Sequence, residues 1–312
     1  MYHPYFRGKQ YELITVREMA PLMKRAGFRP IIEPVRESLG GLEKTLDAVV
    51  EAGGSAIVVV NPHHGDLSRT GESLTDLLKK ELRPGISAGI LLKERTTTAA
   101  AWECYEAHSN HAPVFIHAGF AEVRTLAEKL GNPTKDQHHV FFDRFCGKLY
   151  QKHFKGAHRV LLKDGFERKR NRDYEFIEPF SDLHATFPDE GMDGFGDFLI
   201  VGDDYIESGG PAYAVAIHLT FIDPRQDDTM KIYHFISDRQ DTPLDPAGKF
   251  AEALAKMIET LDSNESDLLE TDAVEEFRSL HEKGHFPGLG YVKKLSMNHH
   301  IETLADYFAK AR

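Results

Sequence analysis

Arg7-Gly8-Lys9-Gln10 separates an open sheet from a closed barrel in this chain. It follows a short apolar run, His3 to Phe6, and precedes a helical pattern built on Tyr11, Leu13, Ile14, Val16, Met19, Leu22 and Met23, which ends at Gly27. An open doubly wound sheet often carries a glycine-rich nucleotide loop after its first strand. This turn has one glycine and no such fingerprint. The choice therefore moves towards a closed (β/α)8 TIM-barrel-like sheet.

Outward from that turn, β-branched apolar runs recur between Pro, Gly and polar punctuation. They are Pro30 to Val35, Ala56 to Pro62, Ile86 to Lys93, Pro113 to His117, His139 to Phe142 and Arg159 to Lys163. Helical patterns alternate with them: Leu42 to Val50, Leu74 to Leu82, Ala99 to Ala107, Ala121 to Leu130 and a short one within Phe142 to Phe154. Strand starts fall roughly 20 to 30 residues apart, the length of one βα unit. The runs are apolar along their whole length, as in a parallel sheet covered on both faces.

After Lys163 the rhythm breaks. Asp164 to Gly196 reads as a polar, aromatic loop, and Asp197 to Val201 as the eighth strand. Ser208-Gly209-Gly210-Pro211 interrupts the chain. Ala214 to Ile222 and Lys231 to Ser237 then alternate around a polar turn, Pro224 to Asp228, as an antiparallel hairpin. Pro246 to Leu261, Ala273 to Glu282 and a segment ending near Ala311 read as helices. The expected organisation is one barrel-like domain over 1–312. Residues 1–205 supply the repeats and last barrel strand, 211–238 the hairpin, and 245–312 C-terminal helices.

A 312-residue chain with 41% hydrophobic residues can bury a core. No apolar run reaches membrane-spanning length, and the first residues lack a secretion pattern. Two cysteines, Cys104 and Cys146, form neither a disulfide framework nor a zinc spacing, and both read as thiols on helices. A cytoplasmic protein is expected. The net charge of -11 argues against indiscriminate nucleic-acid binding. The charge is uneven: Arg144 to Arg172 holds ten Lys/Arg against two acids, and Asp245 to Glu276 ten acids against two lysines. The first segment reads either as a solvated face or as a basic ridge for an anion, a phosphate chain or an acidic partner.

In a parallel barrel, functional side chains come from the C-terminal strand ends. Those ends deliver Arg7 and Lys9, with Glu12 behind; Glu33 and Arg36; Asn61, His63, His64 and Asp66; Lys93, Glu94 and Arg95; His117; Asp143 and Arg144; Lys163 and Asp164; and Asp197, or Asp203 and Asp204 further along. Such convergence suits acid–base or anion-binding chemistry, or a polar network of the barrel mouth. Adjacent His63 and His64 after Pro62 are poorly placed for zinc. An oxygen-ligated divalent ion such as magnesium, on Glu33, Asp143, Asp164 or Asp197, is a second option. Lys163 and Lys93 could be nucleophilic amines or phosphate ligands. Ser181-Asp182-Leu183-His184 has hydrolase residue types, but its close spacing reads as a cap or turn.

Tyr5 to Leu13, Ile31 to Val35, Gly194-Phe195-Gly196-Asp197-Phe198, Pro211 to Phe221 and Gly284 to Tyr291 together resemble the bacterial "beta protein" family over nearly the whole chain. That family is barrel-like and has no settled activity. The resemblance implies a role in phage defence, often beside a nuclease-like partner protein. It singles out Arg7, Lys9, Glu12, Glu33, Asp164, Asp182 and Asp197. The reading that follows is a barrel protein acting on a nucleotide or nucleic acid at the strand C-terminal rim. Arg7, Lys9, Lys163, Arg168 and Arg170 would bind the anion, and Glu33, Asp164 and Asp197 would serve as acid, base or metal ligands. The rival reading is a sensor or scaffold whose ridge binds nucleic acid or the nuclease-like partner.

Overall fold

The computed structural model describes residues 1–310 except 69–70, 81–82, 208–209 and 264. The expected helix position Leu82, the Ser208-Gly209 part of the chain break and the helix end at Ala311 lie outside the described residues.

The chain forms two compact units. The first comprises 1–163 and 186–197; the second comprises 164–185 and 198–312. In the first, eight strands run parallel and in order: β1 (Tyr5–Phe6), β2 (Ile31–Ile32), β3 (Ala56–Val59), β4 (Ile86–Lys93), β5 (Val114–Ala118), β6 (His138–Phe142), β7 (His158–Leu162) and β9 (Gly194–Gly196). Helices α1 (Gln10–Ala26), α2 (Gly40–Glu51), α3 (Glu72–Lys80), α4 (Thr98–Ala107), α5 (Val123–Leu130) and α6 (Lys148–Gln151) lie between successive strands. Main-chain bonds from His3 N to Phe195 O (2.8 Å), Phe195 N to Met1 O (2.9 Å) and Tyr5 N to Asp197 O (2.9 Å) draw the seam between β9 and β1 together. The result is a nearly closed α/β TIM-barrel-like sheet.

Side-chain alternation sorts the two faces of this sheet. Tyr5 meets the ring of Phe142 on β6 at 5.5 Å, a contact that crosses the barrel interior. Tyr5, Arg7 and Glu33 therefore point inward. Phe115, His117, His139 and Phe141 point outward against Tyr150 and Phe154.

The last barrel strand is Gly194–Gly196, not the expected Asp197 to Val201. A Cβ on Gly194 would stand 2.5 Å from Met1 O, and one on Gly196 would stand 2.1 Å from His3 O. The two glycines that read as turn punctuation are required by the close approach of the closing strand. Cys146 lies in the turn before α6 rather than on a helix, fully buried, with its thiol donating to His117 O at 3.3 Å.

In the second unit, β10 (Ala216–Asp223) and β11 (Thr229–Ile236) form the expected hairpin, paired from Ala216↔Ile236 to Asp223↔Thr229. A third strand, β8 (Ile177–Ser181), adds to β11 within the stretch expected to be loop. Pro179 is tolerated there because β8 is an edge strand. After β8 comes the short α7 (Leu183–Thr186). Helices α8 (Pro246–Asp262), α9 (Asp272–Lys283) and α10 (Leu289–Lys310) follow β11. Leu219, Phe221, Phe235, Phe250, Met257 and Phe277 make the centre of this unit's core. No described helix is long and apolar enough to cross a membrane.

Candidate functional site

Glu33 sits at the C-terminal end of β2 and is fully buried. A buried carboxylate persists only where donors replace water. Here Arg7 pairs with Oε2, and the Tyr5 hydroxyl donates to the same oxygen at 2.8 Å. The backbone N–H groups of His63 (2.8 Å) and His64 (3.3 Å) donate to Oε1. Burial works to raise the Glu33 pKa. The Arg7 charge, the His63 N–H, His64 and the Tyr5 hydroxyl outweigh it and hold the carboxyl below its ordinary value. Glu33 is thus a permanently charged anchor for Arg7 and for the loop after β3. With both oxygens engaged, it is badly placed to exchange protons with a substrate.

Around this anchor the inner rim is cationic. Arg7 is only 6% exposed and lies over the Tyr5 ring, 4.9 Å from its centroid. Lys93 Nζ stands 5.7 Å from the Phe145 ring centre. The His63 and His64 rings meet edge to face at 4.9 Å. Burial lowers the His64 pKa to about 4; Glu33 opposes that shift, and Arg7, His63 and Lys93 reinforce it. Burial and then Lys93 lower that of His63. Both imidazoles are neutral at pH 7.

On the helix side of the same strand ends lies a cavity of about 440 Å³. Gly8 and Gln10 border it at the start of α1, Arg36 and Gly40 at the start of α2, and Arg17 and Lys44 on the two helices. None of its lining residues is Asp or Glu. Gln10, Leu13, Ile14 and Arg17 reach it together because that spacing forms one helix face. Neither the N-cap of α1, Lys9, nor that of α2, Leu39, caps its helix with its own side chain, and each first turn carries one acid, Glu12 and Glu43. A Cβ on Gly40 would meet nothing within 4 Å, so the start of α2 presents bare backbone. Gly8 adopts φ +64, and a Cβ there would stand 3.1 Å from Glu33 O and Pro34 Cα. The single glycine of the turn between β1 and α1 is therefore fixed by its positive φ and by the close approach of the main chain after β2.

The remaining expected site residues are dispersed. Asp197 is 5% exposed, and its carboxylate accepts the Tyr2 hydroxyl at 2.6 Å. Burial, and next the Asp197 charge, push the Tyr2 pKa well above its usual value. Asp197 shares the outward face of Phe195, which packs on Tyr2 and Phe187, so its carboxylate and that of Glu33 occupy opposite faces of the sheet. Asp164 belongs to the second unit, where Oδ1 accepts Phe166 N (3.0 Å) and Oδ2 accepts Asp203 N (2.7 Å). It staples a turn. Asp182 is exposed at the start of α7. Asn61 ties its amide to the main chain of Leu91 in both directions, at 2.9 and 2.8 Å, extending the β3–β4 pairing. His117 is fully buried between Tyr150 (2.8 Å) and His139 (3.0 Å), and burial keeps it neutral. It is a core histidine.

Glu12 is buried in the first turn of α1, and Lys9 precedes that helix. Lys163 is half-buried with its N–H on Gly196 O, and Asp143 is exposed in the turn after β6. On the ridge, Arg168 and Arg170 are exposed. Lys169 is clasped by both oxygens of Glu178 at 3.0 Å, and Arg172 stands 3.7 Å from Asp173. Part of the ridge's charge is therefore neutralised internally. Among the described residues no group of three or more His, Cys, Asp or Glu side chains is arranged to hold a metal ion. The magnesium expectation does not fit the engaged oxygens of Glu33 and Asp164, and no step is routed through a metal.

A scan against protein-family models gives no match. A search of curated proteins finds no significant relative.

Proposed function

We propose that the C-terminal rim of the barrel binds a phosphate-bearing small molecule, with a nucleotide as the fitting class. The observation that carries this reading is the 440 Å³ cavity, whose lining has three cations, residues from two helix N-termini that lack an N-cap side-chain bond, and no carboxylate. Free N–H groups and the helix dipole make such ends ready anion sites. Arg17, Arg36 and Lys44 are the cavity's cations. Glu33 acts as an organiser: it fixes Arg7 and the His63-His64 loop beside the inner rim. The function is recognition of the anion, and acid–base work by Glu33 is no part of it. In the setting implied by the family resemblance, this is a phage-defence barrel that senses or holds a nucleotide, with a nuclease-like partner supplying cleavage.

The test is thermal unfolding of the full chain with nucleoside mono- and triphosphates at two salt concentrations. Binding to the native state raises the melting temperature by mass action. We expect a saturable rise, with affinity at least tenfold weaker in Arg36→Ala/Lys44→Ala. An equal rise in that variant, or no rise with any phosphate-bearing compound, overturns the reading.

A further inference from the structure

The opposite, amino-terminal mouth of the barrel holds cationic charge that the protein itself does not balance. Alternation places His3, Arg29, Ser87, His138 and His158 on the inward face, one step before Tyr5, Ile31, Gly89, Val140 and Val160. A Cβ on Gly194 would lie 3.4 Å from both His3 Cδ2 and Val160 Cγ2, which confirms that His3 faces inward. Arg29 donates to the Ser87 hydroxyl, from the start of β2 to β4. The His138 and His158 rings stand 4.6 Å apart.

His3 is 2% exposed, yet neither ring nitrogen has a hydrogen-bond partner. Arg29 Nε is likewise buried without one. Among the described residues no carboxylate pairs with Arg29, and burial alone lowers its pKa, to about 10. Arg29 is half-buried, and a guanidinium partly withdrawn from water without a counterion is costly unless something neutralises it. The nearby acids do not serve. Asp193 is held by Lys135 (2.6 and 2.8 Å) and by Arg159 N (2.9 Å), while Asp136 acts on His138.

We propose that this mouth is a second ligand site, for a small tetrahedral oxyanion such as inorganic phosphate. Arg29 and the His3 ring N–H donate to it. The Ser87 hydroxyl, which accepts from Arg29, keeps its own proton to donate. His138 and His158 close the layer. The ligand is the free ion, and the site is independent of the rim cavity, whose lining shares none of these residues. A metal does not fit as occupant: among the described residues no three His, Cys, Asp or Glu side chains are arranged to hold one, and the Arg29 guanidinium lies in the layer.

The test is titration of the full chain with sodium phosphate at constant ionic strength, read by the ring-nitrogen NMR shifts of His3. We expect a saturable His3 shift, at least tenfold weaker in Arg29→Gln and unchanged in Arg36→Ala/Lys44→Ala. Arg29→Gln removes the uncompensated charge, so it should melt no lower than the parent in phosphate-free buffer. Should it fail to fold, Ser87→Ala, which loses one donor, serves in its place and should weaken binding severalfold. Absence of a saturable His3 shift, or equal binding in these variants, overturns the proposal. Competition by glycerol 2-phosphate as strong as that by phosphate overturns the assignment to a free ion.

Discussion

Replacing Glu33 by glutamine tests the rim at its most constrained point. Glu33 is fully buried and receives Arg7, the Tyr5 hydroxyl and two backbone N–H groups. Glutamine keeps one acceptor oxygen but turns an NH₂ towards two of those donors. Arg7, itself 6% exposed, is left charged without its counterion. Breaking a buried pair from one side costs about 3–5 kcal/mol, mostly because the survivor stays buried. At about 2–4 °C per kcal/mol for a unit of this size, the melting temperature should fall by roughly 6–20 °C. Urea unfolding followed by the fluorescence of Trp102, the single tryptophan, reads the cost directly. The companion variant Arg7→Met/Glu33→Gln should recover about 2 kcal/mol or more relative to additivity. If Glu33→Gln lies within about 0.5 kcal/mol of the parent, a range typical of surface changes, the anchoring role is wrong and a free, reactive carboxyl is right.

Two further outcomes follow from buried groups. His139 and His299 are fully buried, and burial lowers their pKa values to about 3 and about 4. The unfolded chain, with histidine near its ordinary value of about 6.5, takes up protons first as pH falls. Their stabilising effect is therefore complete above about 6.5 and lost towards about 4 and then about 3, at ~1.4 kcal/mol per unit for each. A urea midpoint that stays flat from pH 7 to 4.5 would contradict this. Burial pushes the Cys146 thiol up to about 12, so an aromatic disulfide reagent should leave it unmodified in the native protein. Labelling at the rate of an exposed thiol would contradict its placement.

The barrel was legible because each inner strand is apolar on both faces and each connection has helical periodicity. Ala56 to Val59 and Ile86 to Lys93 could hardly be anything else. What misled was glycine and proline. Gly194 and Gly196 carry no hydrophobic signal, yet the main chain of Met1 and His3 requires them. Pro179 demotes a strand by propensity, and β8 escapes that rule only as an edge. The site was half legible. Arg7 and Glu33 were visible as strand-end charges. Their pairing was hidden, because spacing cannot show which charge finds a counterion. Asp197 and His117 were displaced by alternation, since a shift of one residue moves a side chain to the other face. Arg17 and Lys44 lie on helices rather than at strand ends; bare Gly40-Gly41 after a strand was the available signal. Arg29 and His3 sit at strand starts, and the rule that places function at the C-terminal strand ends of a barrel passes over them.

A crystal of the protein soaked with tungstate, a phosphate mimic located by its anomalous scattering, shows whether the rim cavity takes a phosphate group. A peak is expected between Gly8, Arg36, Gly40 and Lys44. A saturating soak that leaves this cavity empty, with tungstate only on Arg168 and Arg170 of the ridge, would contradict it.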